Sequence, residues 1–190
     1  MLLARPAMTL NRGVSARRAP GGWRPFTALL VAVAVNSASV RAEQHWCLHT
    51  RVFGRWAALA HAGLIIPPWI AFLATSRSVP NGDLPVPPFL ASRVGALLRG
   101  GGVLFTVLGF RELGLGALIN LDQFRPPVEP TAAAIYRLLD DPIYTGYALG
   151  TAGWALRRRS TSGLLLAGFM YVLLTCVQSP IEKARVRRAG

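Results

Sequence analysis

The feature that most constrains this chain is a series of apolar segments whose lengths approach that of a membrane span. Crossing a hydrocarbon layer of about 30 Å takes about 20 helical residues. Trp56–Thr75 reaches that length, and the apolar segments 25–40, 94–110, 143–156 and 161–177 are shorter. Charged residues make up only 15% of the 190-residue chain. Soluble domains carry about a quarter, so the sequence predicts an integral membrane protein.

These segments predict an all-α fold, a polytopic helical bundle with about four transmembrane helices and one short or half-inserted helix. The segment 25–40 is the weakest span, because it is short and contains Asn36 and two serines. The stretch 78–88 is dense in proline and glycine, so it predicts a loop outside the hydrocarbon between two halves of the chain. Five of the eight acidic residues lie in the connection 111–142, which precedes a helical hairpin.

The net charge of +13 comes almost entirely from arginine. The arginines stand at the edges of apolar runs and form no long basic stripe interleaved with aromatic residues, so nucleic acid is not a predicted partner. Membrane topology and anionic lipid head groups explain them better. Residues 1–25 contain five arginines and no acid. They predict a targeting peptide or a positive flank of the first helix, ahead of a membrane domain over 26–190.

Cysteine and histidine spacing predicts neither a disulfide scaffold nor a metal site. Cys47 and Cys176 are too few and too far apart, and we interpret both as structural. His45 and His49 are four residues apart, which on one helix would place them on one face, but no third ligand stands nearby. A polar interfacial face is the preferred interpretation. His61 lies inside an apolar segment, where a packed polar residue is the preferred interpretation over a catalyst.

Three consecutive glycines, Gly100, Gly101 and Gly102, interrupt an otherwise apolar segment. Small residues let two helices approach closely, as is common in membrane bundles. Missing side chains also leave room for a cofactor to lie against the backbone. Taken by themselves, the glycines favour helix packing, and cofactor contact stays open.

A denser group of polar and aromatic residues opens the next apolar segment. Asp140 and Asp141 precede Pro142, and Tyr144 follows. The two carboxylates can cap a helix N-terminus, where the macrodipole favours acids. They can equally bind a cationic head group, to which Tyr144 and Trp154 would add cation–π contacts.

The run LDDPIYTGYALGTAGWAL, followed by STSGLLL, closely resembles a stretch of phosphatidylethanolamine N-methyltransferases, where a Leu-Asp-Asn-Pro-Met-Tyr-type turn opens a helix ending in Leu-Gly-Trp-Ala. Upstream, RVGALLRGGGVLFTVLGFRELGLGALINLDQF is similar to the Gly-x-Gly helix and Asp-x-Phe segment of that family. The likeness covers about residues 35–185. Isoprenylcysteine carboxyl methyltransferases share the wider pattern, but they place Arg-His before the helix proline, where this chain has Asp140 and Asp141.

The resemblance implies an S-adenosylmethionine-dependent enzyme that methylates the amine of phosphatidylethanolamine, or of its mono- and dimethylated forms, in phosphatidylcholine synthesis. It implies a phospholipid substrate and an integral membrane location, with the endoplasmic reticulum expected first and a mitochondrial or other organelle membrane as the alternative. The cofactor motif falls on Gly100, Gly101 and Gly102, with Glu182 as a further contact. The expected proton acceptors are Asp141, Glu182 and then Asp140, and the expected substrate contacts are Tyr144, Arg137, Arg125 and Trp154.

One departure from the family pattern bears on activity. The family usually ends its last membrane helix with a Glu-Glu pair that contributes to cofactor binding, whereas this chain reads CVQSPIEKARV. Glu182 alone lies near that position, or Gln178 and Ser179 if the following proline sets the register. A catalytically silent lipid-binding relative therefore stays open, as does a methyltransferase acting on another membrane amine or a prenylated cysteine.

Overall fold

A computed structural model describes residues 22–124 and 134–189, and every regular element within them is helical. For Asp122, Ala134 and residues 185–189 it describes the backbone alone. The α-helices are α1 (Arg24–Trp46), α2 (Leu48–Phe53), α3 (Ala57–Ser76), α4 (Pro88–Leu113), α5 (Ala134–Leu138), α6 (Pro142–Arg157), α7 (Thr161–Val172) and α8 (Ser179–Ala189). Short 3₁₀ turns cover Gly54–Trp56, Leu115–Ile119 and Leu121–Phe124, and a π-helical turn, Leu173–Gln178, joins α7 to α8.

Within the described ranges, four stretches are long and apolar enough to cross a membrane: Arg24–Trp46, Leu48–Ser76, Pro88–Leu113 and Thr161–Ala184. The predicted all-α membrane bundle is confirmed. α6 has 16 residues, which is about 24 Å at 1.5 Å per residue and less than the roughly 30 Å of hydrocarbon. The short helix of the bundle is therefore α6.

α1 is longer than the apolar segment 25–40 predicts. It continues to Trp46 as a helix of 23 residues, and the half-inserted helix expected here is not observed. The polar side chains of its second half find partners inside the bundle. Asn36 Oδ1, for example, accepts a hydrogen bond from Asn120 Nδ2 at 2.9 Å. The hydropathy of a segment contains no information on such pairing. The sequence therefore predicts a shorter helix than the structure has.

α4 and α6 pack with their backbones in direct contact, through glycines on both helices. A Cβ atom added at Gly102 would lie 2.5 Å from the backbone nitrogen of Gly150 and 2.6 Å from the carbonyl oxygen of Gly146. One added at Gly153 would lie 2.5 Å from the carbonyl oxygen of Gly95. Lipid tails are as apolar as leucine, so close packing of this kind drives association of membrane helices more than the hydrophobic effect does. This contact fixes the short α6 against the long α4.

The two ends of the bundle differ in chemistry. Toward the start of α1, helices α1, α3, α6 and α7 share an apolar core whose buried members are Leu29, Val33, Phe72, Val79, Ala148, Leu166, Met170 and Leu174. The other end gathers the last part of α1, the start of α6, and α8, and we call it the polar end. There the Gln44 side chain of α1 donates to the backbone oxygen of Ile181 in α8 at 2.9 Å. The Lys183 ammonium of α8 donates to the backbone oxygen of Asp140 at 3.0 Å.

We expect Gly146→Val to destabilise the protein, because a Cβ at this position would lie 2.6 Å from the carbonyl oxygen of Gly102. Overpacking of this kind costs about 1–3 kcal/mol. Thermal unfolding in detergent micelles measures the effect. Gly168→Val is the matched control, since no heavy atom lies within 4 Å of a Cβ added there. Equal unfolding temperatures for the two variants would contradict the backbone contact between α4 and α6.

Candidate active site

Asp141 stands immediately before α6 but does not cap it. It occupies the N-cap position without a hydrogen bond from its side chain to the first turn. Its Oδ2 atom instead accepts a hydrogen bond from the Ser179 hydroxyl and lies 3.0 Å from Nζ of Lys183. Asp141 therefore ties the start of α6 to α8, and the lysine compensates its charge.

Glu182 is half-buried in α8, and each of its carboxylate oxygens accepts a hydrogen bond. The Tyr144 hydroxyl donates to Oε2 at 2.5 Å, and the side-chain amide of Gln178 donates to Oε1 at 2.7 Å. The carbonyl oxygen of the Gln178 side chain accepts in turn from the Ser37 hydroxyl at 2.6 Å. These four side chains form a hydrogen-bonded chain that joins α1, the π-helical turn, α8 and α6.

The π-helical turn Leu173–Gln178 directs these side chains into the bundle. Such a turn locally widens the helix, and it is frequent at functional sites. Its last residue, Gln178, is 0% exposed, and Ser179, which begins α8, is 3% exposed. The two consecutive residues bind different carboxylates, Gln178 that of Glu182 and Ser179 that of Asp141.

The structure brings together three predicted site residues that are distant in sequence: Asp141, Tyr144 and Glu182. Asp140 lies beside them, exposed, with its backbone carbonyl bound by Lys183. Sequence reasoning did not identify Lys183 as part of the site. It is the single lysine of the chain, and its position one residue after a predicted site carboxylate was the available signal.

Other predicted substrate contacts lie elsewhere. Arg137 is exposed in α5, and Arg125 lies outside the described residues. Trp154 is ten residues beyond Tyr144 in α6, which is about 15 Å along the helix. The guanidinium of Arg158 lies over its ring, 4.7 Å from the centroid. The structure does not bring Trp154 to the polar end.

The three glycines of α4 occupy two different environments. Gly102 is buried against α6, as the helix-packing interpretation predicts. Gly100 and Gly101 have no heavy atom within 4 Å of an added Cβ. They leave a bare strip of helix backbone that a ligand can approach closely.

A cleft of about 460 Å³ opens beside Asp141. Sites for small molecules typically measure about 300–1,000 Å³. We call it the polar cleft, and its polar lining comprises Asp140, Asp141, Thr145, Thr175, Ser179 and Lys183. Two carboxylates and one ammonium in a single opening provide contacts for a ligand that carries both signs of charge.

Tyr136 in α5 lies near carboxylates of the polar end. Burial and, after it, the carboxylates of Asp141 and Glu112 raise the pKa of Tyr136 to about 12. Its phenol donates to the carbonyl oxygen of Gly109, at 3.5 Å.

A second polar cluster lies on another face of α1. Ser39 Oγ is 2.8 Å from His49 Nε2 and 2.7 Å from His61 Nδ1. His61 is therefore packed as expected, but only its Nδ1 is hydrogen-bonded, because its buried Nε2 has no partner among the described residues. His45 and His49 do not share a helix face, because the helix breaks at Cys47, whose φ is 48°. Over residues 22–124 and 134–189, no group of three or more His, Cys, Asp or Glu side chains is arranged to hold a metal ion.

Comparison with known proteins identifies the class to which this fold and site belong. Residues 90–189 match the family described as phospholipid methyltransferase. The match begins in α4 and ends in α8, so it includes the glycine strip and both carboxylates. The chain belongs to the phospholipid methyltransferase family, and the resemblance drawn from its residues is confirmed.

Two relatives within this class carry a particular name. The chain is 30% identical over 99 residues to a phosphatidylethanolamine N-methyltransferase of Rattus norvegicus, an alignment that covers 50% of each protein. It is 24% identical over 168 residues to phosphatidylethanolamine N-methyltransferase B of Dictyostelium discoideum, with 82% of each covered. The matched part thus spans half the length of the rat relative. No solved structure gives a significant match.

We expect Gln178→Met to lower the free energy of unfolding by about 1–3 kcal/mol, the usual cost of leaving a buried polar group without its partner. The substitution keeps the side-chain length while it removes the acceptor of Ser37 and one donor to Glu182. Thermal unfolding in detergent micelles measures the loss. Cys176→Met, two residues away and exposed, is the control. If both variants unfold with the wild type, the hydrogen-bonded chain through Gln178 does not stabilise the fold.

Proposed function

We propose that this chain catalyses the S-adenosylmethionine-dependent N-methylation of phosphatidylethanolamine, or of its mono- and dimethylated forms, in phosphatidylcholine synthesis. Membership of the phospholipid methyltransferase family supports the reaction class. The observation that carries the specific proposal is that the consecutive residues Gln178 and Ser179 bind the carboxylates of Glu182 and Asp141 at the polar end. The Tyr144 hydroxyl also donates to Glu182.

The residues present fit the methyl donor that the family implies. Gly100 and Gly101 expose backbone that an added Cβ would cover, and Glu182 offers a carboxylate. When bound, S-adenosylmethionine would supply a sulfonium methyl group for direct transfer to the lipid nitrogen. Gly102 has a structural role in the proposal. It packs against α6 and so fixes the position of the site residues at the start of that helix. The transfer itself is mainly a matter of alignment.

The lipid amine has to lose a proton before it attacks. By analogy with lysine, its ammonium has a pKa of roughly 10, so at neutral pH it is almost entirely protonated. A carboxylate at the site can accept that proton, and general-base catalysis contributes about 10²–10⁴-fold in rate. Asp141 and Glu182 are the proposed acceptors, with Asp140 next. Their negative charge also draws the cationic head group to the polar end.

Neighbouring residues orient the reacting groups. Tyr144 donates to Glu182 at 2.5 Å, which fixes that carboxylate, and we propose that Tyr144 thereby orients the head group. Arg137, exposed in α5, and Arg125 are proposed to pair with the lipid phosphate. Trp154 lies toward the opposite end of α6, so the predicted contact of its ring with the head group has no support from the geometry.

A catalytically silent lipid-binding relative is the second candidate, and one observation favours it. If Pro180 sets the register, the neutral Gln178 and Ser179 take the position of the family's Glu-Glu pair, and otherwise Glu182 alone lies near it. The side chains of Gln178 and Ser179 nevertheless bind Glu182 and Asp141. Two carboxylates are therefore bound at this turn, and the active enzyme that we propose depends on them.

The membrane-length helices support an integral membrane location. We propose the endoplasmic reticulum as that membrane, with a mitochondrial or other organelle membrane as the alternative. In this proposal, residues 1–25 serve as a targeting or flanking segment of the membrane domain 26–190. Microscopy of a tagged chain, beside markers for each organelle, distinguishes these membranes.

The reaction is tested in membranes that lack endogenous phosphatidylethanolamine methylation, with S-adenosylmethionine labelled in its methyl group and lipids resolved by mass spectrometry. We expect label in mono-, di- or trimethylated phosphatidylethanolamine. Glu182→Gln and Asp141→Asn are each expected to lower the rate by about 10²-fold or more, as for loss of a general base. Glu112→Gln is the control, because Glu112 is an exposed carboxylate near the same end.

Two results would contradict parts of this proposal. If both carboxylate variants keep wild-type rates, neither residue is the proton acceptor. If inserted, abundant protein labels no phospholipid, the chain does not methylate phosphatidylethanolamine. Binding of labelled S-adenosylmethionine then separates a silent relative, which binds none, from an enzyme with another acceptor. Product analysis with prenylated cysteine and other membrane amines identifies that acceptor.

We expect Gly101→Val to weaken S-adenosylmethionine binding by about tenfold or more, which is about 1.4 kcal/mol, because the new side chain covers the bare backbone. Its unfolding temperature should stay near that of the wild type, since nothing lies within 4 Å of an added Cβ. Gly168→Val, which is equally open, is the matched control. Equal dissociation constants for these two variants, measured by equilibrium binding, would place the cofactor away from Gly101.

A further inference from the structure

An apolar groove of about 540 Å³ runs along α1 on the side of the π-helical turn and α8. Its apolar walls include Leu30, Ala34 and Ala38 from α1, and Leu173, Val177 and Ile181 from the π-helical turn and α8. Arg41 and Trp46 line it near the polar end. We call this the acyl groove, and it differs from the polar cleft in both position and chemistry.

The π-helical turn and α8 separate the acyl groove from the polar cleft. Thr175, Ser179 and Lys183 line the cleft, and Leu173, Val177 and Ile181 line the groove. Ser37 lines the groove as well, and its hydroxyl is bonded to Gln178, which is bonded to Glu182. The Glu182 carboxylate is thus connected by hydrogen bonds to the wall of the groove, while its helix also forms a wall of the cleft.

We propose that the acyl groove holds an acyl chain of the phospholipid substrate and that Arg41 pairs with the phosphate of that lipid. The amine then approaches Glu182 from the side of α1, and the polar cleft stays open on the other side of α8. This inference rests on the proposed function, because it names where the substrate of that reaction binds.

The length of the groove matches the depth of one lipid leaflet. Arg41 follows Leu30 by eleven residues in one continuous helix, which is about 16 Å at 1.5 Å per residue. One leaflet contributes half of a hydrocarbon core of about 30 Å. A lipid whose phosphate lies at Arg41 would therefore place its chain along the whole apolar part of the groove.

Charge is what makes the groove selective. An acyl chain in a bilayer already lies in hydrocarbon, so apolar walls by themselves add no hydrophobic gain. Arginine matches phosphate geometry with two parallel hydrogen bonds. Arg41 is exposed, and no side chain among the described residues pairs with it. Trp46, 64% exposed, is of the residue type that lies at membrane interfaces, which is where a lipid phosphate lies.

The test uses the 190-residue chain in dodecyl maltoside micelles, which contain no phosphate. The probe is phosphatidylethanolamine with a photoactivatable diazirine in one acyl chain, and crosslinked residues are mapped by mass spectrometry. We expect crosslinks concentrated on residues 30–41 and 173–181. Unlabelled phosphatidylethanolamine should compete for them, and diacylglycerol, which lacks the phosphate, should not.

Matched variants separate the groove from ordinary lipid contact. Ala38→Phe fills the groove, and Ala71→Phe places the same side chain on an exposed position of α3. Arg41→Gln removes the charge, and Arg51→Gln removes an exposed charge of α2. We expect each variant to lower groove crosslinking by about tenfold, Ala38→Phe because the larger side chain excludes the acyl chain and Arg41→Gln because one charge-assisted contact is lost. Both controls should crosslink like the wild type.

Crosslinks spread evenly around the bundle, or equal crosslinking by Ala38→Phe and Ala71→Phe, would overturn the proposal. In active protein, Ala38→Phe should also raise KM for long-chain phosphatidylethanolamine while leaving kcat, and both constants for the dihexanoyl lipid, unchanged. Crosslinking requires no methyl transfer. An inactive protein with selective crosslinks would contradict the proposed reaction but support lipid binding in the groove. An active protein without selective crosslinks would overturn only the proposed groove.

Discussion

Polar side chains buried in a membrane bundle have to find partners inside the protein, and α1 meets this constraint on two faces at once. Ser37 binds Gln178 of the π-helical turn, while Ser39 contacts His49 and His61 of α2 and α3. Residues two positions apart on an α-helix point about 200° away from each other. α1 is therefore held between the second and the last parts of the chain, and these bonds set the position of α8 and of its carboxylate.

α6 is positioned by a different force. It is too short to cross the hydrocarbon, and it is fixed by contact of its glycine backbone with that of α4. Gly102 and Gly146 meet closely enough that neither tolerates a Cβ, so the start of α6 has little freedom to shift. Asp141 at that start is then bound from α8 by Ser179 and Lys183. One half of the site is thus placed by close packing and the other by hydrogen bonds.

The sequence predicted the helical membrane fold because length and scarcity of charge are properties of the chain itself. Residue type and family resemblance also predicted Asp141, Tyr144 and Glu182, which the structure brings together. Partnerships across distant segments had no such signal: Ser37 and Gln178 are 141 positions apart. The true length of α1 depends on those partnerships. Trp154 shows the reverse case, since an aromatic side chain near the motif in sequence lies about 15 Å along the helix from Tyr144.

Gln178 and Ser179 are neutral, and each binds one carboxylate of the candidate site. Two adjacent carboxylates repel, and one of them tends to take up a proton. Here Gln178 and Ser179 donate hydrogen bonds, and the two carboxylates that accept them belong to different parts of the chain, Glu182 to α8 and Asp141 to the position before α6. Asp141 faces the polar cleft with Lys183 beside it, whereas Glu182 is linked through Gln178 to the wall of the acyl groove. The two acids are therefore connected to different surfaces, Asp141 directly to the polar cleft and Glu182, through Gln178 and Ser37, to the acyl groove.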